Sequence, residues 1–390
     1  LPKEEICDNR DNDCDGFIDE YLPIQQIGTV RNYSNLGDYS HLYMVSTPNG
    51  YAFGWSERAQ SEMTGQIRVT GVRADGDREG SDWPVTKEGE RGNIHGLAWM
   101  GKGFAVAWDT DQSRGRDISD AYIGTFNPNG SRLRGPLMLE QGGRAANTGV
   151  AYGAGLLSVG WIRYIDESSG YMRLQLFDTD LKPQGEITPI QPEYALLPQN
   201  SPFPAMAFSG NQVAVSWSAP QRKLKLGLFD NKGKPTNTFF DIPNAGLAPA
   251  DPAIAGYNDG YLLLWTDLNS SPPGALYAQR LDRQGRTIGA RQTLSNEGSR
   301  TPTLQVTSFG AVVAWYQEQT GGMGVSIGRV DRDGKLLAPA SWFSVPNIQP
   351  YITMAWTDLG KGSGRGAIAW IEREQRLNVD RIMVAPLGCR

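Results

Sequence analysis

The chain has 390 residues, 39% of them hydrophobic and 20% charged, which is enough apolar material for a sizeable buried core. Its 47 Gly and 24 Pro are scattered as turn punctuation and not gathered in blocks, which excludes collagen and disorder and points to many short strands. With 37 Lys and Arg against 42 Asp and Glu the net charge is −5, so no overall field draws the chain to nucleic acid or to an anionic bilayer.

In chain order, the sequence opens at Leu1, not Met, which fits removal of a secretory signal peptide. The densest chemistry follows at once, with Asp8, Asp11, Asp13, Asp15, Asp19 and Glu20 around Cys7, Cys14 and Gly16. Such a cluster repels itself unless solvated or neutralised. Alternating carboxylates at Asp11, Asp13 and Asp15, followed by a glycine for the sharp turn, suit a hard cation. The EF-hand order would add the Phe17 carbonyl and Asp19; its twelfth position is Leu22 in place of Glu, so closure falls to Asp19 or Glu20, with Asp8 or water at a further site. With His41 and His95 as the sole histidines, the oxygen-rich set favours Ca²⁺ over copper.

The pattern Glu-x-Cys-Asp-x-x-Asp-Asn-Asp-Cys-Asp-Gly-x-x-Asp-Glu, complete from Glu5 to Glu20, resembles the MopE-type metal-binding motif of secreted and cell-surface bacterial proteins. The resemblance implies a bacterial cell-surface, periplasmic or extracellular setting and a bound metal. Because both cysteines belong to the pattern, it also implies a Cys7–Cys14 disulfide. A rival pairing uses the third cysteine, Cys389, which ring closure would bring within reach of Cys7 or Cys14. Either bridge needs an oxidising compartment.

Beyond residue 22 one pattern repeats. Short apolar strands end in Trp55, Trp108, Trp161, Trp217, Trp265, Trp315 and Trp370, spaced 53, 53, 56, 48, 50 and 55 residues apart. Each unit reads as apolar segment, turn, Trp strand, polar loop, strand, Asp or Gly turn, last strand: a four-stranded antiparallel meander. The Trp strands are apolar on both alternating faces, as when sheets stack radially around an axis. The seventh unit stops one strand short, and Pro23 to Val30 carries the missing pattern. The expectation is an all-β, seven-bladed β-propeller over 23–390, closed by the strand 23–30, with residues 1–22 as a small calcium-type loop. The repeated tryptophans read as wedges between blades; Trp83, Trp99, Trp342 and Trp356 fall outside the repeat and are candidates for mapping. No run is long enough to span a bilayer as a helix.

Propellers bind on the face formed by the loop after the second strand. That rule marks Glu57, Asp109, Arg163, Asp267, Gln317 and Glu372 as a candidate binding face, with chemistry that differs from blade to blade. His41 and His95 open the first strands of adjacent units, so the repeat makes them neighbours around the axis. The nucleophile elbow, HExxH, P-loop, dinucleotide fingerprint and the Asp-box repeats of sialidases are all missing. The expected function is therefore a non-enzymatic, extracellular or cell-surface recognition or assembly module that meets a protein or glycan. A carbohydrate-binding propeller is the alternative. A hydrolase or lyase working through paired channel carboxylates ranks third.

Overall fold

The computed structural model describes residues 12, 14, 22–34, 38–58, 65–87, 92–111, 119–140, 145–164, 169–195, 204–219, 222–236, 239–360, 363–374 and 379–389. The described residues form strands and turns with no helix. Two short strands come first, β1 (Ile24–Gln26) and β2 (Arg31–Asn32). Blade one is β3 (Asp38–Thr47), β4 (Gly50–Arg58), β5 (Gly65–Val72) and β6 (Arg78–Pro84). Blade two is β7 (Asn93–Trp99), β8 (Phe104–Asp111), β9 (Ser119–Phe126) and β10 (Arg132–Met138). Blade three is β11 (Ala145–Gly153), β12 (Leu156–Tyr164), β13 (Ser169–Phe177) and β14 (Thr188–Ala195). Blade four is β15 (Ala205–Ser209), β16 (Gln212–Ala219), β17 (Lys223–Phe229) and β18 (Phe240–Asp241). Blade five is β19 (Pro249–Tyr257), β20 (Gly260–Asp267), β21 (Ala275–Asp282) and β22 (Thr287–Ser295). Blade six is β23 (Ser299–Val306), β24 (Gly310–Gln319), β25 (Gly322–Asp331) and β26 (Ser341–Ser344). The last blade takes β27 (Ile348–Gly360), β28 (Ser363–Glu374) and β29 (Val379–Cys389), and β1 and β2 supply its outer edge. All sheets are antiparallel meanders, and the molecule is a seven-bladed β-propeller.

The blades stack because each sheet is apolar on both faces. Strand β20 is buried along its whole length, whereas the outermost β22 is exposed over most of its residues. Seven hydrophobic clusters fill the seams between consecutive blades, and each seam holds the repeated Trp of the following blade. Trp265, for example, packs on Leu224, Leu226 and Leu228 of blade four. A large aromatic wedge at each seam fixes the spacing between sheets, and its repetition accounts for the period of the sequence. Of the tryptophans outside the repeat, Trp356 is buried in the seam between blades six and seven, and Trp83 stacks toward Phe104 and Phe126. Trp99 lines the channel.

Closure follows the expected logic with a different register. The segment 23–30 is not one strand. Ile24 pairs with Cys389 and Gln26 with Leu387, pairing lapses, and Arg31 resumes it opposite Val384. The break falls at Pro386, which has no N–H to give to the ladder, although its carbonyl still accepts from Ile27 N at 3.1 Å. Gly28 passes so near the Pro386 ring that a Cβ there would stand 2.7 Å from its Cγ. The chain then continues to Tyr33, which locks into the seam between the last and first blades.

Candidate functional site

The inner strands of all seven blades surround a central cavity of about 1420 Å³. Its walls are mostly small or apolar, including Leu97, Val150, Met206, Ala253 and Leu304. Among the described residues its charged or imidazole side chains are few: His41, His95, Arg222, Asp251 and Arg300. They gather at one end, where the inner strands begin and the Trp strands finish.

A repeated backbone irregularity builds that end. Six inner strands slip register at or beside the seam Trp of their neighbour: Ser40/Leu42, Ile94/Gly96, Ala146/Gly149, Ala250/Ala253, Arg300/Thr303 and Ile348/Ile352. These are β-bulges, which turn an extra residue out of the ladder. His41, Asp251 and Thr301 take the left-handed conformation there, with φ of 57°, 49° and 44°. The bulges carry His41, His95, Asp251, Thr301 and Tyr351 to equivalent places around the mouth, and all five line the cavity.

Blades seven, one and two contribute the aromatic side. The His41 and His95 ring centroids are 4.8 Å apart, and Tyr351 stands 6.4 Å from His41 on the other flank with 44% of its surface exposed. His95 Nε2 lies 2.7 Å from Asp109 Oδ2, and Asn93 Nδ2 donates to Asp109 Oδ1 at 3.3 Å. Burial, reinforced by the Asp109 charge, pushes the nearby Tyr43 phenol well above its ordinary pKa. Blades four to six contribute the charged side. Arg300 Nε pairs with Asp251 Oδ2 at 3.1 Å, the same oxygen accepts from Thr301 N at 3.3 Å, and Arg222 reaches the wall exposed. The half-exposed Arg300–Asp251 pair adds little stability, and its consequence is orientation.

The six residues expected at the rim divide into two groups. Asp109, one position beyond Trp108, lies at the mouth beneath His95. The other five stand two positions beyond their tryptophans, and the twofold period of a strand puts them on the same face as the indole. They are engaged in holding the blade. Glu372 accepts from Trp370 Nε1 at 2.9 Å and Gln317 from Trp315 Nε1 at 2.6 Å. Arg163 pairs with Glu140, which also takes Arg173 at 2.7 Å and the Trp161 indole at 3.2 Å. Glu57 takes Arg68 Nε at 2.7 Å. Asp267, 3% exposed, accepts the backbone N–H groups of Leu247 at 2.9 Å, Ala248 at 2.8 Å and Asn269 at 3.2 Å. Asp267→Ala is expected to cost about 1–3 kcal/mol, because three part-buried backbone donors lose one buried, charged acceptor. Urea denaturation measures this; a change under about 0.5 kcal/mol would show that the connection into blade five holds without the clamp.

Sequence reasoning placed His41 beside His95, as the structure does, but missed Asp251, Arg300, Thr301, Tyr351 and Arg222. A signal was present in Pro252, Pro302 and Pro350, which stand beside the bulge in blades five, six and seven, where strands tolerate proline. The acidic-loop residues Asp8, Asp11, Asp13, Asp15, Phe17, Asp19 and Glu20 lie outside the described residues, as does Cys7. Cys14 is exposed with a free thiol, no disulfide forms among the described residues, and Cys389 ends β29 opposite Ile24. Among the described residues no group of three or more His, Cys, Asp and Glu is placed to hold a metal ion.

Fold and site together define a closed seven-bladed propeller with one asymmetric polar mouth. No protein-family model and no curated protein matches the sequence. In three dimensions the chain is similar to a protein of unknown function from Dyadobacter fermentans, at 11% identity and TM-score 0.51, over 76% of this chain and 95% of that one. It is also similar to a neuraminidase-like protein from A/bat/Guatemala/164/2009, at 9% identity and TM-score 0.51, over 93% and 94%. Likeness at these identities is a likeness of fold.

Proposed function

We propose that the protein is a non-enzymatic recognition module of the cell surface or extracellular space, which takes a protein or glycan ligand at the channel mouth. The supporting observation is the ring of bulges. Equivalent backbone positions carry His41, His95, Asp251, Thr301 and Tyr351, so five blades of a rigid scaffold present a set of groups that is not uniform around the ring. Such a surface suits one asymmetric ligand better than a sugar repeated in every blade. The exposed Tyr351 ring supplies a stacking face, and the Arg300–Asp251 pair supplies polar contacts opposite it. In this reading Ca²⁺ orders the acidic loop of residues 1–22 in an extracytoplasmic setting.

A glycan array and a panel of purified surface proteins, probed with calcium held saturating, test the mouth. Tyr351→Ala and Arg300→Ala are expected to weaken a detected ligand by at least about tenfold each while leaving the melting temperature within about 2 °C of the parent. Ligand binding unaffected by both variants would move the site elsewhere, and turnover of a bound glycan would replace a module by an enzyme. Calorimetry of Ca²⁺ with the parent and an Asp11→Ala/Asp13→Ala variant tests the loop separately, with heat and thermal stabilisation expected in the parent alone.

A further inference from the structure

The mouth brings together the chain's two histidines, and their arrangement goes beyond recognition. The rings come from bulges in consecutive blades, with centroids 4.8 Å apart and planes inclined at 64°. Two imidazoles bound to one ion through nitrogens about 2.0–2.1 Å away hold their centroids about 4.5–5.2 Å apart when the angle at the metal is about 90–110°. The observed separation falls within that window. His95 is also aimed. Its Nε2 contacts Asp109 Oδ2 at 2.7 Å, with both side chains buried, and Asn93 steadies the carboxylate. A carboxylate on the far nitrogen is the usual partner of a metal-bound histidine: it fixes the ring and assigns ligation to Nδ1.

We propose that His41 and His95 form an open, two-nitrogen site for a late first-row divalent ion, with Asp109 as its positioning residue. Imidazole donors select ions of this class, and the order of affinity puts Cu²⁺ above Ni²⁺ and Zn²⁺. With two protein nitrogens, the remaining coordination positions face the channel, where water or an arriving ligand completes them. Tyr351, on the flank of His41, borders that open side. The site differs in chemistry from the oxygen-rich loop of residues 1–22, and neither depends on the other.

The full chain, stripped with EDTA and desalted, is loaded with one equivalent of Cu²⁺ and followed by electron paramagnetic resonance, with affinity read by chelator competition. The expected spectrum shows two imidazole nitrogens. His41→Ala and His95→Ala should each lower affinity by at least about 100-fold, and Asp109→Asn by about 10–100-fold with imidazole ligation retained. His41→Gln, which keeps bulk at the bulge, guards against a misfolded alanine variant and should lose the metal in a chain that melts normally. The Asp11→Ala/Asp13→Ala variant should keep the site, and excess Ca²⁺ should not compete. A Cu²⁺ spectrum without imidazole nitrogens, histidine variants that bind as tightly as the parent, or no binding tighter than about millimolar would each overturn the assignment.

Discussion

Tyr33→Ala is expected to destabilise the propeller by about 3–5 kcal/mol, the usual cost of emptying a buried aromatic site. Tyr33 is 3% exposed and sits where the closing segment, the last blade and the first blade meet. Its backbone N–H donates to Ile382 O at 2.8 Å, and its hydroxyl donates to Gly76 O at 2.9 Å. Phe53 meets the ring edge-on at 6.1 Å, and the Arg78 guanidinium lies 4.9 Å above it. Ser34 Oγ, next in sequence, accepts from Ile382 N at 2.8 Å. With β1 and β2 so short, this anchor carries much of the closure. For a chain of this size the loss corresponds to about 4–6 °C in Tm. Tyr33→Phe keeps the packing and forfeits the hydroxyl bond, so about 1–2 kcal/mol is expected. Deleting residues 23–34 should go further, exposing the edge of β29 and opening the seam, with aggregation or loss of cooperative unfolding. A Tyr33→Ala melt within about 1 °C of the parent would mean that the ring is held shut elsewhere.

The reason the ring was legible in the sequence is that seven blades occupy one repeated environment. Each Trp strand must be apolar on both faces, so Tyr261 to Trp265 and Ala311 to Trp315 carry the same constraint at the same interval. The interval also makes His41 and His95 neighbours around the axis. The twofold strand period, applied to Glu57, Arg163, Asp267, Gln317 and Glu372, identifies residues on the buried Trp face, which the loop-face rule alone did not weigh. The bulges were harder to see. They depend on a left-handed backbone at His41, Asp251 and Thr301, where no glycine marks the turn; Pro252 and Pro302 stand beside two of them, and nothing in the sequence marks the third. The split of the closing strand follows from Pro386, whose missing N–H interrupts a ladder that pairing by apolar pattern alone had drawn as continuous.

Alkaline unfolding is expected to be abrupt, because the seams hold tyrosines that cannot ionise in place. Burial raises the phenol pKa of Tyr43, Tyr257 and Tyr261 well above the ordinary value, and it pushes Tyr51 up to about 12 against the opposing influence of nearby Thr357 and the charge of Arg365. These residues lie at four different seams: Tyr43 between blades one and two, Tyr51 between seven and one, Tyr257 between five and six, Tyr261 between four and five. A raised folded pKa leaves stability intact below the unfolded value near 10 and removes it as pH climbs from there toward the folded value. Each such tyrosine contributes a slope of about 1.4 kcal/mol per pH unit, so four together approach about 5–6 kcal/mol per unit. Against a typical net stability of about 5–15 kcal/mol, that slope unfolds the ring within one to three units above pH 10. Tyrosinate absorbance and near-ultraviolet dichroism, followed together, should show exposed tyrosines titrating reversibly first and the buried set appearing only as the dichroism collapses. Tyr43→Phe should flatten the steep limb by about a quarter. If all 15 tyrosines titrated in one reversible wave near pH 10 with the dichroism preserved, the seams would have to be open to hydroxide and water in the folded ring.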